Sequence, residues 1–123
     1  MNQEDIIIVG GGPCGLAAAI ALKNVGMNPL VIEKGNIVNS IYHYPTHQTF
    51  FSTSEKLEIS DVPFVTENYK PKRNQALVYY REVVKRKNLR INAYEKVLKV
   101  DKQPDSTFIV KTEKQIYSCK YIV

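Results

Sequence analysis

An α/β fold organised around a parallel sheet is what this sequence predicts, and three observations predict it. Residues 5–9 and 29–33 are short, continuously apolar runs rich in β-branched side chains, the pattern of strands buried on both faces. Between them stand a cluster of glycines and a run of strong helix formers, so that strand, turn, helix and strand follow one another within about thirty residues, as in a βαβ unit. After residue 96 the rhythm changes to short apolar segments separated by polar turns, which predicts an antiparallel β-meander beside the parallel strands.

Taken in order, the first strand over residues 5–9 leads through the glycines into a helix over residues 16–25, with Gly26 placed as its C-terminal cap. The second strand follows at 29–33, and its crossover from the first is right-handed. Residues 36–69 contain Pro45, Pro63 and many Ser and Thr, and predict a loop with one or two short helical turns, long enough to be functional or to wrap a ligand. From Pro71 to about Lys87 the pattern is helical, with Ala76, Leu77, Tyr80, Val83 and Val84 on one face and Arg81, Lys85 and Lys87 largely away from it. Residues 89–93 predict a third strand. Residues 97–100, 108–110 and 116–117 are the expected meander strands, and residues 120–123 are expected to begin a further apolar strand, which suggests a truncated domain.

A chain of 123 residues accommodates one domain and is too short for two nucleotide-binding domains side by side. Its 44% hydrophobic and 24% charged residues are ordinary for a soluble globular protein, and no apolar run approaches the roughly 20 residues of a membrane span. Residues 1–5 carry no basic segment, so the run at 6–9 is not a signal peptide, and a cytoplasmic location is expected. The net charge of +5 is spread along the chain, and its densest group, Lys85, Arg86 and Lys87, suits the end of a helix better than a nucleic-acid site. Cys14 and Cys119 form no metal or redox pair by spacing, and His43 and His47 lack a carboxylate or second ligand at zinc spacing, so no metal site is expected. Cys119 is most simply a buried strand residue, and Tyr79 and Tyr80 are expected to pack the helix.

The chemistry lies in Gly10-Gly11-Gly12-Pro13-Cys14-Gly15, a Gly-x-Gly-x-x-Gly after a predicted strand and before a predicted helix. Gly10 allows the tight turn, Gly12 lets a pyrophosphate approach the backbone, and Gly15 lets helix and strand pack closely. Unpaired amides and the positive end of the helix dipole then receive phosphates. Glu33 closes the second strand, where a carboxylate accepts hydrogen bonds from a ribose diol and repels a 2'-phosphate. Together these make a Rossmann-like site for an adenine dinucleotide, most simply FAD.

With residues 6–20, Val31-Ile-Glu-Lys-Gly35 and Tyr44-Pro-Thr-His-Gln-Thr-Phe-Phe-Ser52 in view, the sequence resembles the thioredoxin-reductase-like flavoproteins. It looks most similar to their bacillithiol disulfide reductases, and Arg73-Asn-Gln-Ala76, residues 79–85 and the strand at Tyr121 extend the resemblance over the whole chain. The resemblance implies an FAD/NAD(P)-binding Rossmann-like domain of the three-layer ββα type, interrupted by an NADPH domain, with electrons passing from NADPH through FAD to a small disulfide. All six glycines lie at or before Gly35, so the second glycine motif expected for NADPH is absent here. The chain is accordingly expected to be the N-terminal part of the FAD domain, to hold FAD weakly alone, and not to turn over unaided.

By the same resemblance, Gly10, Gly12, Pro13, Cys14 and Gly15 line the diphosphate, Lys34 contacts the adenosine ribose beside Glu33, and the backbone of Val97 faces the adenine. The loop from Tyr44 to Gln48 approaches the isoalloxazine, with Thr46 and Gln48 as polar contacts. Cys14 has two readings: a small residue that suits the turn, or a thiol at a helix N-terminus whose thiolate exchanges with the bacillithiol disulfide. A homo-oligomer of a longer protein is compatible with the resemblance. The same FAD unit also serves flavin monooxygenases, other FAD-dependent oxidoreductases and non-catalytic dinucleotide-binding modules, and the residues alone do not choose among them.

Overall fold

The central strand is longer than its apolar run. In the computed structural model, which describes residues 1–45, 48–50, 54–66 and 70–123, β1 spans Asn2–Val9, because the polar Asn2, Gln3 and Glu4 pair with Tyr117, Ser118 and Cys119. The helix α1 covers Pro13–Asn24 and ends before Gly26, whose φ of +87° takes the left-handed turn. Strand β2 follows at Leu30–Ile32, the short helices α2 and α3 at Asn39–Tyr42 and Ser54–Leu57, and the long helix α4 at Arg73–Arg86. Then come β3 at Arg90–Asn92, β4 at Val97–Lys102, β5 at Phe108–Thr112 and β6 at Ile116–Ile122.

These strands make one six-stranded sheet in the order β3-β2-β1-β6-β5-β4. The four from β3 to β6 run parallel, with Ile7 opposite Leu30 and Val31 opposite Ile91, while β6-β5-β4 form the antiparallel meander. One expectation is corrected here: residues 116–117 and 120–122 belong to the single strand β6, not to two. Polar Ser118 and Lys120 interrupt its apolar pattern, yet the strand pairs with β5 on one side and with β1 on the other, so backbone hydrogen bonds carry it through.

The period of two divides the sheet's side chains between two layers. Ile6, Ile8 and Val31 meet Ala19 of α1 on one face, while Ile7, Leu30 and Ile32 pack with Val110, Tyr117 and Cys119 of the meander on the other. Cys119 is thus the buried strand residue expected. A third cluster joins Leu16 and Ile20 of α1 to Ala76, Leu77, Tyr79, Tyr80 and Val83 of α4. Each such large side chain withdrawn from water contributes about 1.5–3 kcal/mol before entropy is counted.

Tyr79, outside the predicted apolar stripe of α4, is buried because its hydroxyl donates to Val62 O at 2.6 Å and accepts from Ile59 N at 2.8 Å. Phe64 stacks on its ring at 4.3 Å between centroids, and Tyr80 donates to Leu57 O at 2.7 Å. The proline-containing stretch before α4 is therefore held down by two phenols. The basic residues at the end of α4 are satisfied locally, Arg86 by Glu82 and Lys87 by Asp61. Among the described residues no helix is long and apolar enough to cross a membrane.

Candidate dinucleotide-binding site

At the carboxyl end of β1 the chain turns at Gly10, whose φ of +109° is rarely open to a residue with a side chain. The Gly10 amide still donates to Ile32 O at 2.9 Å, which ties the turn to the end of β2. Gly12 is the N-cap of α1 and offers no side chain to cap it; the first helical bond runs from Leu16 N to Gly12 O at 2.9 Å. Pro13 occupies the first helical position and removes a donor that would have had no partner. The amides of Cys14 and Gly15, in that first turn, have no acceptor within the helix, and no acidic residue there competes for them. An anion is the natural partner of such an end.

The glycines divide into two kinds. Among the described residues, a Cβ built at Gly10 or Gly12 meets nothing within 4 Å, so the approach to the turn is open, whereas one at Gly15 falls 2.0 Å from Gly10 O. The first two keep space for something outside the chain, and the third is required by the close passage of α1 over the end of β1.

Glu33 turns toward this opening. Only 6% exposed, it accepts from Gly11 N through Oε1 at 2.9 Å and from Gly35 N through Oε2. Each carboxylate oxygen keeps further acceptor capacity for a sugar diol. Behind the turn, Val38 N donates to Gly11 O at 2.9 Å, and Val38 has a φ of +48° although it is β-branched and buried. Such strain persists only where the surroundings impose it. Here the core holds the side chain while the amide is spent on the turn, and nothing in a valine's identity announces that conformation. Lys34 is exposed on the rim of a cleft of about 470 Å³ that also takes in Asn39, Tyr94 and Lys96.

Val97 is half-buried against the meander-side cluster, and its pairing with Thr112 is followed by an irregularity in the β4–β5 register. The segment leading to it is joined to the acid, since Glu95 N donates to Glu33 O at 2.9 Å. The Glu95 side chain is buried and accepts from Thr112 Oγ1 at 2.9 Å and from Tyr117 Oη at 2.7 Å. Burial, reinforced by that bond to Glu95, pushes the Tyr117 phenol up to about 12. Sequence reasoning missed Glu95, because no periodicity or motif marks a carboxylate that is buried only by the meander folding over it.

Cys14 is exposed on the first turn of α1, at the mouth of the opening. Gln48 is exposed; its backbone N–H donates to Pro45 O at 2.9 Å and its backbone carbonyl accepts from Arg73 N at 2.8 Å. Thr46 and His47 lie outside the described residues. His43 is exposed and meets Tyr42 edge-on, and no group of three or more metal-ligating side chains occurs among the described residues. The structure thus brings Gly10, Gly12, Pro13, Cys14, Gly15 and Glu33 together at the carboxyl ends of β1 and β2, with Val97 linked to Glu33 through Glu95.

A parallel sheet whose first crossover helix opens on bare amides, with a buried acid ending the second strand, is a Rossmann-like fold of the FAD/NAD(P)-binding class. The chain belongs to the pyridine nucleotide-disulphide oxidoreductase family, whose model matches residues 7–123. It is 66% identical to the bacilliredoxin reductase Bdr of Bacillus subtilis over 123 residues, all of this chain and 38% of that protein. Two solved structures are similar to it. The bacillithiol disulfide reductase Bdr from Staphylococcus aureus has 58% identity and a TM-score of 0.97 over 99% of this chain and 38% of its own. Its counterpart from Bacillus cereus has 67% identity and a TM-score of 0.95 over 98% of this chain and 39% of its own. The chain therefore spans less than two-fifths of the length of these relatives.

Proposed function

We propose that this chain forms the N-terminal part of the FAD-binding domain of a cytoplasmic, NADPH-dependent flavoprotein that reduces bacillithiol disulfide or a related small disulfide. The observation that carries the reading is the open glycine turn with Glu33 bonded to its middle, in a chain 66% identical throughout to a bacilliredoxin reductase. The NADPH site and the rest of the FAD domain belong, on this reading, to sequence outside these residues. Bound FAD would supply two-electron transfer from NADPH to the disulfide, which takes up two protons and leaves as two thiols.

The residues of this chain have distinct parts in that scheme. The amides of Cys14 and Gly15 bind the diphosphate, and the open Cα of Gly12 lets it come close. Glu33 accepts from the ribose, Lys34 flanks it, and the backbone at Val97 faces the adenine. Thr46 and Gln48 contact the isoalloxazine, and the Cys14 thiol is the group that exchanges with the substrate disulfide.

The test is made on the full-length protein. Flavin absorbance should copurify with it, and NADPH oxidation should require the small disulfide and release two thiols per turnover. A flavin-bound Cys14→Ala variant should lose that reduction. Oxidation of NADPH by oxygen alone, with no thiol released, would move the protein to the monooxygenases, and a full-length protein without flavin would overturn the reading.

A further inference from the structure

We infer that Arg73 is a positioning residue that sets the geometry of the segment beside the flavin, an inference that rests on the reading just given. Two bonds from this one residue reach Tyr42 and Gln48: the side chain, through Nη2, donates to Tyr42 O at 2.6 Å, and the backbone amide donates to Gln48 O at 2.8 Å. The guanidinium also lies 5.4 Å from the centre of the Tyr42 ring, and Nη1 is held by Asn74 Oδ1 at 2.6 Å.

The clamp is mounted on a rigid element. Arg73 is the first residue of α4, whose N-terminus is braced by Lys72 N donating to Gln75 Oε1 at 2.8 Å. Around it, Phe50 N donates to Pro71 O at 2.9 Å, and Thr49 bridges to Lys72. Tyr42 ends α2, which packs on the same core cluster. The distance between Tyr42 and Gln48 is thereby set by α4 through Arg73.

A strut would need only the bonds already made, but among the described residues the buried Nε of Arg73 has no acceptor. Leaving a buried donor unpaired is costly, so a group that supplies an acceptor there would be bound in preference. Arginine suits the task because its fork addresses several acceptors at fixed angles, which lysine does not reproduce.

The experiment uses the full-length protein with Arg73→Met and Arg73→Lys, reading the flavin absorbance spectrum, the flavin midpoint potential, the melting temperature and disulfide reduction per bound flavin. Both variants should shift the spectrum and the potential, and Arg73→Met should slow reduction per bound flavin about tenfold or more, as misplacement of reacting groups does. A wild-type spectrum and potential in either folded variant, with only a lower melting temperature, would reduce Arg73 to a structural strut and leave the proposed function standing. If Arg73→Met does not fold, Arg73→Lys decides by the same readouts. A wild-type protein that binds no flavin overturns both.

Discussion

Oε1 of Glu33 lies 2.9 Å from the backbone nitrogen of Gly11, so the acid that ends β2 is bonded to the middle of the turn that ends β1. Its other oxygen takes the Gly35 amide, and Glu95 N takes its carbonyl. The residue proposed to meet the ribose is therefore already part of the scaffold that shapes the glycine turn, and acid and amides are aligned as one unit.

Replacing that acid tests the alignment directly. In Glu33→Gln one oxygen becomes an NH2 group that meets a backbone N–H instead of accepting from it. The expected loss is about 1–3 kcal/mol of folding stability, measured by denaturant unfolding, together with weaker FAD binding. Unchanged stability would show that the turn does not depend on this carboxylate.

The two kinds of glycine give opposite expectations. Gly15→Ala puts a Cβ 2.0 Å from Gly10 O, so strand end and helix must separate, at about 1–3 kcal/mol or more. Gly12→Ala meets nothing within 4 Å and should cost about 1 kcal/mol at most, the penalty of alanine at an N-cap. Its effect should fall on FAD instead, with affinity reduced about tenfold or more, a loss of about 1.4 kcal/mol of binding. Parallel melting curves and flavin titrations separate the two; equal flavin affinity in Gly12→Ala and wild type would remove the diphosphate from this turn.

A lysine joins the two long helices. Lys23, in the last turn of α1, donates to Lys87 O at 2.7 Å and to Asn88 O at 2.8 Å, placing its charge on the carbonyl end of α4. Lys23→Met keeps most of the apolar stem and removes the charge, and should destabilise by about 0.5–2 kcal/mol. Thermal unfolding checks this, and a variant as stable as wild type would mean that solvent serves those carbonyls equally well.

Alkaline pH should reveal the network under the meander. The Tyr117 phenol is raised from 10.0 to about 12 in the folded protein, chiefly by burial. An unfolded chain loses that proton first, so the contribution is intact below pH 10 and is lost as pH rises toward about 12. The loss should be about 2 kcal/mol at the upper end of the window. Tyr80, also buried and raised to about 12, adds in the same direction. In Tyr117→Phe the fall in unfolding free energy between these pH values should be shallower than in wild type, and an identical slope would exclude Tyr117 as its source.

The parallel strands and α1 were legible because their signals are local: β-branched runs, helix formers and three glycines at set spacing. Glu33 could be assigned because its meaning comes from the strand it ends. The course of β6 was not legible, since Ser118 and Lys120 break its apolar pattern and only pairing on both edges shows one strand. The role of Arg73 was not legible either, because its partners at Tyr42 and Gln48 lie far from it along the chain.

By itself the sequence determined the βαβ unit, the three glycines of its turn, and the acid at the end of β2, since each follows from neighbours within a few residues. Only the tertiary structure decided that the acid bonds to the turn, that Val38 is strained to hold it from behind, that Glu95 is buried beside Val97, and that Arg73 bonds to both Tyr42 and Gln48. Those depend on which distant backbone and side-chain groups meet when the sheet, its helices and the meander close on one another.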